Sequence, residues 1–168
     1  EPASSVKSLA IGYAIPPANT ALFSFLWQNE PKVPTADFFT GVAATNEGLY
    51  FSGQSYSPQK KQSGPFLSKF SLNQSGLSKT GTPLWLAKPQ YFKDYQGGVF
   101  YSVLSSEEAG SNAIYATGYA SDGATNRTAI LAKYDQAGNL LWLKNLSEVG
   151  ELRRGAGMSL ATLDGFIY

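Results

Sequence analysis

Two adjacent carboxylates, Glu107 and Glu108, are the residues of this sequence that most directly suggest chemistry. A pair of carboxylic acids can act as general acid and general base when both groups face the same reacting atom. Neighbouring residues of an extended segment point in opposite directions, so this pair is poorly placed for that role. We therefore interpret Glu107 and Glu108 as part of a solvated loop, and we predict no catalytic residue.

The composition excludes several classes of catalytic and metal site. The chain has 168 residues, with 0 His and 0 Cys. It therefore lacks the imidazole or thiol needed for Ser–His and Cys–His catalysis, and the ligands of ordinary zinc, iron–sulfur and haem sites. The segment 122–126 offers oxygen ligands for calcium, but it lacks the Asp series and the final Glu of a recognised calcium loop. We predict a plain turn there, no metal, no cofactor and no enzymatic activity.

Charge is balanced along most of the chain. The 13 basic and 12 acidic residues give a net charge of +1, which provides no global attraction to nucleic acid. Between Glu47 and Asp94 there are six lysines and no acidic residue. Three of them are candidate anion-binding residues for a partner such as an acidic polysaccharide: Lys60, Lys61 and Lys69. The alternative is that the first two lie in an exposed Ser/Gln/Pro/Gly loop and that the third guards a strand edge.

Features near the N-terminus and at three asparagines favour an exported protein. Residues 1–5 resemble the mature end that remains after removal of a signal peptide. Three Asn-x-Ser/Thr sequons are candidate glycosylation sites: Asn73, Asn126 and Asn145. No stretch approaches the roughly 20 apolar residues of a membrane helix. We predict an extracellular or cell-surface protein without a membrane span, and we expect no nucleic-acid partner.

The sequence repeats itself at an interval near 57 residues. The most distinctive recurring residues are three tryptophans, spaced 58 and 57 residues apart: Trp27, Trp85 and Trp142. Two further segments recur at spacings of 65 and 64 residues: 49–53 with 114–118, and 66–70 with 130–134. A glycine follows each tryptophan and opens an apolar run: Gly41, Gly98 and Gly157. Recurrence of a whole pattern at a fixed interval indicates a repeat architecture.

Each complete copy contains four short segments that alternate apolar and polar residues. In the second copy these are 99–104, 113–119, 128–134 and 140–146. Alternation with Ile, Val, Tyr, Phe and Trp predicts half-buried strands, and turn residues such as those of 135–139 separate them. Four strands per repeat are typical of a β-propeller blade. The single helix candidate, 105–109, is too short to form one.

We therefore predict an all-β fold made of β-propeller blades, each with four antiparallel strands. The predicted units are an N-terminal segment ending in a partial blade, two blades and the start of a further blade: 1–40, 41–97, 98–156 and 157–168. The three tryptophans are predicted to wedge adjacent blades together; stacking on a ligand is the alternative. Because about four to eight blades close a propeller, we expect a fragment of a longer protein or closure with other chains. A β-sandwich is the alternative fold.

The second copy resembles a known family. Ile114-Tyr115-Ala116-Thr117-Gly118 and the segment 129–142, with its Ala-Lys-Tyr-Asp and Gly-Asn turn leading to Leu-Leu-Trp, resemble the bacterial beta-propeller repeat family of exported and cell-surface proteins. The likeness covers about 41–168 and is looser in the first copy, where 70–73 departs from the pattern. It implies a propeller and export, and no catalytic residue. The spacing of Asp135, Gly138 and Trp142 is also similar to the blades of quinoprotein dehydrogenases, without a visible cofactor cage.

Three hypotheses about function stay open at this point. In the first, the chain is a non-catalytic structural or interaction repeat that presents blade faces and loops to a macromolecular partner, which is another protein chain, further blades or a polysaccharide. In the second, it is a subunit of an extracellular filament or lattice, a homo-oligomer closed by strand addition between chains. In the third, it is a fragment of a propeller enzyme, either a quinoprotein or a glycan-active one.

Overall fold

The chain folds as antiparallel sheets. The computed structural model describes the backbone, and most of the side chains, of residues 8–12, 24–29, 38–57, 61–73, 76–77, 84–87, 96–108, 111–123, 126–146 and 154–168. Across these ranges there are thirteen strands and no α-helix. The prediction of an all-β fold is confirmed. In the same ranges, no helix is long and apolar enough to cross a membrane.

The strands are named in chain order. They are β1 Ser8–Gly12, β2 Ser24–Asn29, β3 Phe38–Thr45, β4 Gly48–Ser57, β5 Gln62–Asn73, β6 Gly76–Leu77, β7 Trp85–Ala87, β8 Gly97–Glu108, β9 Ser111–Ser121, β10 Arg127–Tyr134, β11 Leu140–Asn145, β12 Thr162–Leu163 and β13 Phe166–Ile167.

The four segments predicted for the second copy coincide with β8, β9, β10 and β11. One prediction was wrong: Glu107 and Glu108 belong to β8 and lie opposite Asn112 and Ser111, because the β8–β9 hairpin continues beyond the apolar run.

The strands form two main sheets and two hairpins. Sheet 1 has the order β3-β4-β5, and both β6 and β7 pair with the far edge of β5. Sheet 2 has the order β8-β9-β10-β11. The hairpins are β1-β2 and β12-β13. Among the described strands all pairings are antiparallel, and no sheet closes on itself. The limits of the predicted units stay a prediction.

The two sheets are equivalent in register. In sheet 1 the backbone positions Tyr50, Lys69 and Trp85 lie opposite one another across β4, β5 and β7. In sheet 2 the corresponding row crosses β9, β10 and β11 and consists of Tyr115, Lys133 and Trp142. The first pair of strands in each sheet also carries a register shift at the same place, after the residue opposite Gly53 or Gly118. The two sheets therefore share a row of the same three residue types and the same position of the register shift.

One part of the repeat alignment was wrong. The sequence pattern matches Gly41 with Gly98. In the structure Gly41 lies opposite Ser52. The counterpart of Ser52 in sheet 2 is Thr117, which lies opposite Ser102 and not opposite Gly98. Gly98 lies four residues earlier in the strand. The error arises because both first strands alternate in the same way, so a shift by an even number of residues keeps the same side chains facing the core.

The sheets stack with unlike faces together. We call the face that carries Tyr50 in sheet 1 and Tyr115 in sheet 2 the forward face, and the opposite one, which carries Phe70 and Tyr134, the rear face. The main core joins the forward face of sheet 1 to the rear face of sheet 2: Tyr50, Leu67, Phe100, Val103, Ile114, Ala116, Ala120, Ile130, Ala132 and Tyr134. Across this interface Gln54 Nε2 donates to the Gly98 carbonyl at 2.8 Å. The rear face of sheet 1 has its own apolar cluster around Phe51 and Phe70.

Residues 154–161 cover part of the forward face of sheet 2. The Gly157 N–H donates to the Gly118 carbonyl at 2.9 Å, and the Gly155 N–H donates to the Arg127 carbonyl at 3.1 Å. A side chain at position 157 would clash with Thr117, so glycine is required for this approach. The chain then turns back through Asp164 and Gly165, which have φ of 49° and 79°. Two positive φ values are those of a type I′ hairpin turn, as the Asp-Gly pair predicts.

Candidate functional site

A polar recess lies where one end of sheet 1 meets one end of sheet 2. Its volume is about 490 Å³. The β3–β4 turn, the ends of β8 and β9, and the β10–β11 turn surround it, and they contribute mostly polar side chains: Thr45, Asn46, Glu47, Ser105, Glu107, Asn112 and Gln136. We call this recess the end cleft. Hairpin geometry creates it, because alternate turns of stacked antiparallel sheets gather at the same end.

A buried ammonium group lies behind the wall of the end cleft. Lys69 is only 8% exposed, and its Nζ lies 3.2 Å from Glu47 Oε2 and 5.2 Å from the centre of the Tyr50 ring. Burial lowers the pKa of Lys69, but the interactions with the Tyr50 side chain and the hydrogen bond to Glu47 raise it by more, so its pKa lies above the ordinary value. Lys69 therefore stays charged at neutral pH and holds Glu47 in place.

Gln136 connects the two sheets at the end cleft. With its amide oriented for hydrogen bonding, Gln136 donates to Glu47 Oε2 at 3.2 Å and accepts from the Asn112 N–H at 3.1 Å. The orientation of the amide is assigned from these partners. Lys69, Glu47, Gln136 and Asn112 thus form one hydrogen-bonded chain from the core of sheet 1 to the β8–β9 hairpin of sheet 2. This chain fixes the relative position of the two turns.

The turn that carries Gln136 is rigid. Asp135 accepts from both nitrogens of Asn139, at 2.8 Å from the backbone N–H and 2.8 Å from Nδ2. Gly138, with φ of 86°, closes the turn and donates to the Asp135 carbonyl at 3.1 Å. Slight burial raises the pKa of Asp135, but the hydrogen bonds from Asn139, Ala137 and Gly138 outweigh it, so its pKa is lowered. The carboxylate stays ionised and keeps the turn closed.

The segment considered for calcium uses its carboxylate in the same way. Asp122 Oδ2 accepts from Asn126 Nδ2 at 2.8 Å, and Asp122 Oδ1 accepts from the Asn126 N–H at 3.4 Å. This is the Asp-x-x-x-Asn arrangement of the β10–β11 turn, placed at the opposite end of sheet 2. Among the described residues, no group of three or more Asp and Glu side chains is close enough to hold a metal ion.

The candidate residues of the sequence fall in different places. Lys69 is engaged by Glu47, Lys61 is exposed with φ of 50°, and Lys60 lies outside the described residues. The sequon residue Asn126 is exposed and Asn145 is half-buried in β11, whereas the side chain of Asn73 lies outside the description. Among those that the structure describes, Lys69 lies in β5 of sheet 1 and Asn145 in β11 of sheet 2. The anion-binding and glycosylation assignments stay predictions.

Trp142 is the tryptophan whose side chain the structure describes. It is half-buried on the forward face of sheet 2, with its ring centre 5.9 Å from that of Tyr115 in an edge-on arrangement. Lys144 Nζ lies 5.3 Å from the indole ring, and Lys133 Nζ lies 5.3 Å from the Tyr115 ring. The side chains of Trp27 and Trp85 lie outside the described residues. The predicted wedge role therefore stays a prediction for all three.

Sequence reasoning did not single out the pairing of Tyr50 with Lys69, or the contact of Gln136 with Glu47. The first pairing had a signal, because the two recurring segments carry a tyrosine and a lysine at matching positions in both copies. The second had none, because it joins different units through their turns. In chemical terms, the end cleft offers hydrogen-bond donors and acceptors with two carboxylates, Glu47 and Glu107.

Comparison with known proteins adds no relative: no family model matches the chain, and no significant match is found among curated proteins.

Proposed function

We propose that this chain is a non-catalytic, structural and interaction repeat region of an exported or cell-surface protein, built from β-propeller blades. In this proposal each four-stranded sheet is a blade, and exposed faces and turns contact a macromolecular partner. The observation that carries the proposal is the repeated row Tyr50–Lys69–Trp85 and Tyr115–Lys133–Trp142, because the same row recurs in two sheets that stack with unlike faces together.

Burial on both faces of sheet 2 supports stacked blades over a two-sheet sandwich. A sandwich buries one face of each sheet and leaves the other face to solvent. In sheet 2 the rear face is buried through Ile114 and Tyr134, and the forward face is buried at Tyr115 and Thr117, which are 4% and 2% exposed. Sheet 2 is therefore an inner layer, between sheet 1 and residues 154–161. Inner layers are what a stack of blades requires.

The head-to-tail contact supports the same proposal. The forward face of one sheet meets the rear face of the next, so the interface is heterologous and a further unit can follow by the same operation. Repeats of this kind form rings when the rotation between units closes and extended stacks when it does not. The proposed β-propeller is the ring form of this arrangement.

The architectural part of the proposal is tested by determining the structure of the protein by crystallography or cryo-electron microscopy. We expect successive four-stranded sheets related by one repeated rotation, with the indoles of Trp27, Trp85 and Trp142 at equivalent positions between them. A closed two-sheet sandwich, or indoles in unrelated surroundings, would contradict the proposal. A comparison of sheet 1 with sheet 2 in the same structure gives the reference rotation.

The location and role are tested on the organism that produces the protein. Intact cells are treated with a protease that does not enter them, and the chain is detected by an antibody to residues 154–168. Loss of the signal from intact cells, with a cytoplasmic marker protein retained, supports an exposed location. Full retention in intact cells, with loss only after lysis, argues against it. A defined catalytic turnover by the purified protein would contradict the interaction role.

A further inference from the structure

The end cleft contains polar side chains that no other described residue engages. Four of them line it without a side-chain hydrogen bond to the rest of the described structure: Asn46, Ser105, Glu107 and Asn112. Glu107 and Asn112 lie directly opposite each other on β8 and β9, and their side chains still do not hydrogen-bond. These four side chains are therefore free to contact a ligand.

Other turns of sheet 2 satisfy their own polar side chains. Asp122 Oδ2 accepts from Asn126 Nδ2 at 2.8 Å, and Asp135 Oδ2 accepts from Asn139 Nδ2 at 2.8 Å. Each of these turns pairs a carboxylate with a carboxamide. The end cleft has the same two kinds of group and does not pair them, and convergent polar groups around a recess fix the orientation of a bound ligand.

The back wall of the end cleft is already held in place. Gln136 bridges Glu47 Oε2 and the Asn112 N–H, and the buried Lys69 ammonium holds Glu47 from behind at 3.2 Å. The wall therefore does not have to be ordered when a ligand binds. A site that is ordered beforehand loses less free energy on binding.

The lining selects one class of ligand. It suits neither an apolar ligand, because Ala44 is the one apolar residue of the described lining, nor an anionic one, because Glu47 and Glu107 contribute two carboxylates. The carboxamides of Asn46 and Asn112 and the hydroxyl of Ser105 offer donors as well as acceptors. A sugar hydroxyl also donates and accepts, whereas an ammonium or guanidinium group only donates.

We propose that the end cleft binds a segment of a neutral oligosaccharide or polysaccharide. This deepens the function proposed above, because it names the partner of one turn surface, and it rests on that function. The carboxylate of Glu107 accepts from sugar hydroxyls, and the carboxamides of Asn46 and Asn112 donate to them and accept from them. The volume of about 490 Å³ lies within the range of roughly 300–1,000 Å³ that small-molecule sites occupy.

The probes are three neutral oligosaccharides, namely cellotetraose, maltotetraose and chitotetraose. Each is titrated into the full ¹⁵N-labelled chain, and the amide resonances are followed by NMR. We expect saturable shifts at Asn46, Asn112 and Gln136 with at least one probe. The dissociation constant should be about 1–10 mM, because neutral hydrogen bonds replace those to water with a small net gain. Raising the salt concentration from about 20 to about 500 mM should change it less than about twofold, since the ligand is uncharged.

Two neighbouring serines of β8 provide a matched pair of variants. Ser105→Ala removes a hydroxyl that lines the end cleft and should weaken binding about two- to tenfold. Ser106→Ala makes the same change at the next residue, which does not line the cleft, and should leave the dissociation constant within about twofold. Adding Asn112→Ala to Ser105→Ala should weaken binding at least about tenfold, because two contacts are lost. The Asn112 N–H that Gln136 accepts from is retained in that variant.

Two charged probes test the selection of ligand class. They are trigalacturonate, an acidic sugar, and the peptide acetyl-Gly-Arg-Gly-amide. Both should bind more weakly than the best neutral oligosaccharide. Tighter binding of the acidic sugar would contradict the expected repulsion by Glu47 and Glu107, and tighter binding of the peptide would assign the cleft to a basic side chain of a protein partner.

Either of those results would overturn the proposal. So would the absence of saturable shifts with all three neutral probes, shifts centred outside the end cleft, or an equal effect of Ser105→Ala and Ser106→Ala. None of these outcomes bears on the stacking of the sheets or on the location of the protein. The structure determination and the protease experiment described above test those, so failure of the saccharide site and failure of the proposed function are distinguishable.

Discussion

Replacing Tyr134 with phenylalanine should leave the protein as stable or make it more stable. Tyr134 is 1% exposed, and its hydroxyl has no hydrogen-bond partner among the described residues. A buried hydroxyl without a partner costs about 1–3 kcal/mol in lost hydration. Sheet 1 supplies the precedent, because the equivalent residue is Phe70, which is also buried. Removing one oxygen leaves the ring in place, including its edge-on contact with Phe100 at 6.4 Å.

We expect Tyr134→Phe to raise the free energy of unfolding by about 0–1.5 kcal/mol, since repacking recovers only part of the hydration cost. For a chain of this length, about 1 kcal/mol corresponds to a change in Tm of roughly 2–4 °C. Urea unfolding followed by tryptophan fluorescence measures the difference. The matched control is Phe70→Tyr, because it introduces the same hydroxyl at the equivalent buried position of sheet 1. That variant should lose about 1–3 kcal/mol.

The pH dependence provides a second measurement on the same residue. Burial raises the pKa of Tyr134 well above its ordinary value of 10.0. A folded-state pKa above the unfolded-state pKa gives a contribution to stability that is complete below pH 10 and is lost as the pH rises beyond it. Tyr134→Phe should therefore show a shallower fall of stability above pH 10. A loss of more than about 1 kcal/mol at pH 7, or an unchanged alkaline slope, would refute the reasoning.

Three further changes test other parts of the structure. Ser68→Ala should raise the free energy of unfolding by about 0–1 kcal/mol, because the fully buried Ser68 hydroxyl also lacks a hydrogen-bond partner among the described residues. Urea unfolding measures the change. A clear loss of stability would show that the hydroxyl does have a partner. Glu47→Gln should lower the free energy of unfolding by about 1–2 kcal/mol, because it leaves the Lys69 ammonium without its carboxylate; this value lies between those of exposed and buried ion pairs. The double variant Glu47→Gln with Lys69→Met should regain most of the lost stability. If it regains none, the two residues are not coupled. Gly157→Ala should lower the free energy of unfolding by about 1–3 kcal/mol, because the added methyl group clashes with Thr117. Calorimetry measures the change, and an unchanged Tm would argue against the close approach. The control is Gly64→Ala, because a methyl group at position 64 meets no neighbouring atom.

The two predicted stabilising changes follow from comparison of the sheets. The sequence alone shows that Ser68 and Phe70 recur as Ala132 and Tyr134, so each copy has an apolar residue where the other has a hydroxyl. It does not show that both hydroxyls are buried without partners. That depends on which sheet face each residue joins and on what the neighbouring sheet packs against it. The repeat identifies the positions, and the packing assigns the energy.

The candidate site was less predictable than the fold. Alternation of apolar residues located β8 to β11 within a few residues, because each strand must bury one side of a pleated sheet. The end cleft combines Glu47 from one unit with Gln136 from another, and no periodicity in the chain relates these two turns. Lys69 was predicted as a candidate for binding an external anion, whereas its nearest carboxylate is Glu47 of its own sheet.

The sequence by itself determined three features. The strands follow from local alternation of apolar and polar residues, and the turns follow from residues such as Gly138 and Gly165 that permit positive φ. The equivalence of the two copies follows from recurrence along the chain. Only the tertiary structure decided which faces meet, because strand patterning distinguishes an apolar side from a polar one but not one apolar side from another. The forward face of one sheet meets the rear face of the next, and this choice buries Lys69 and creates the end cleft.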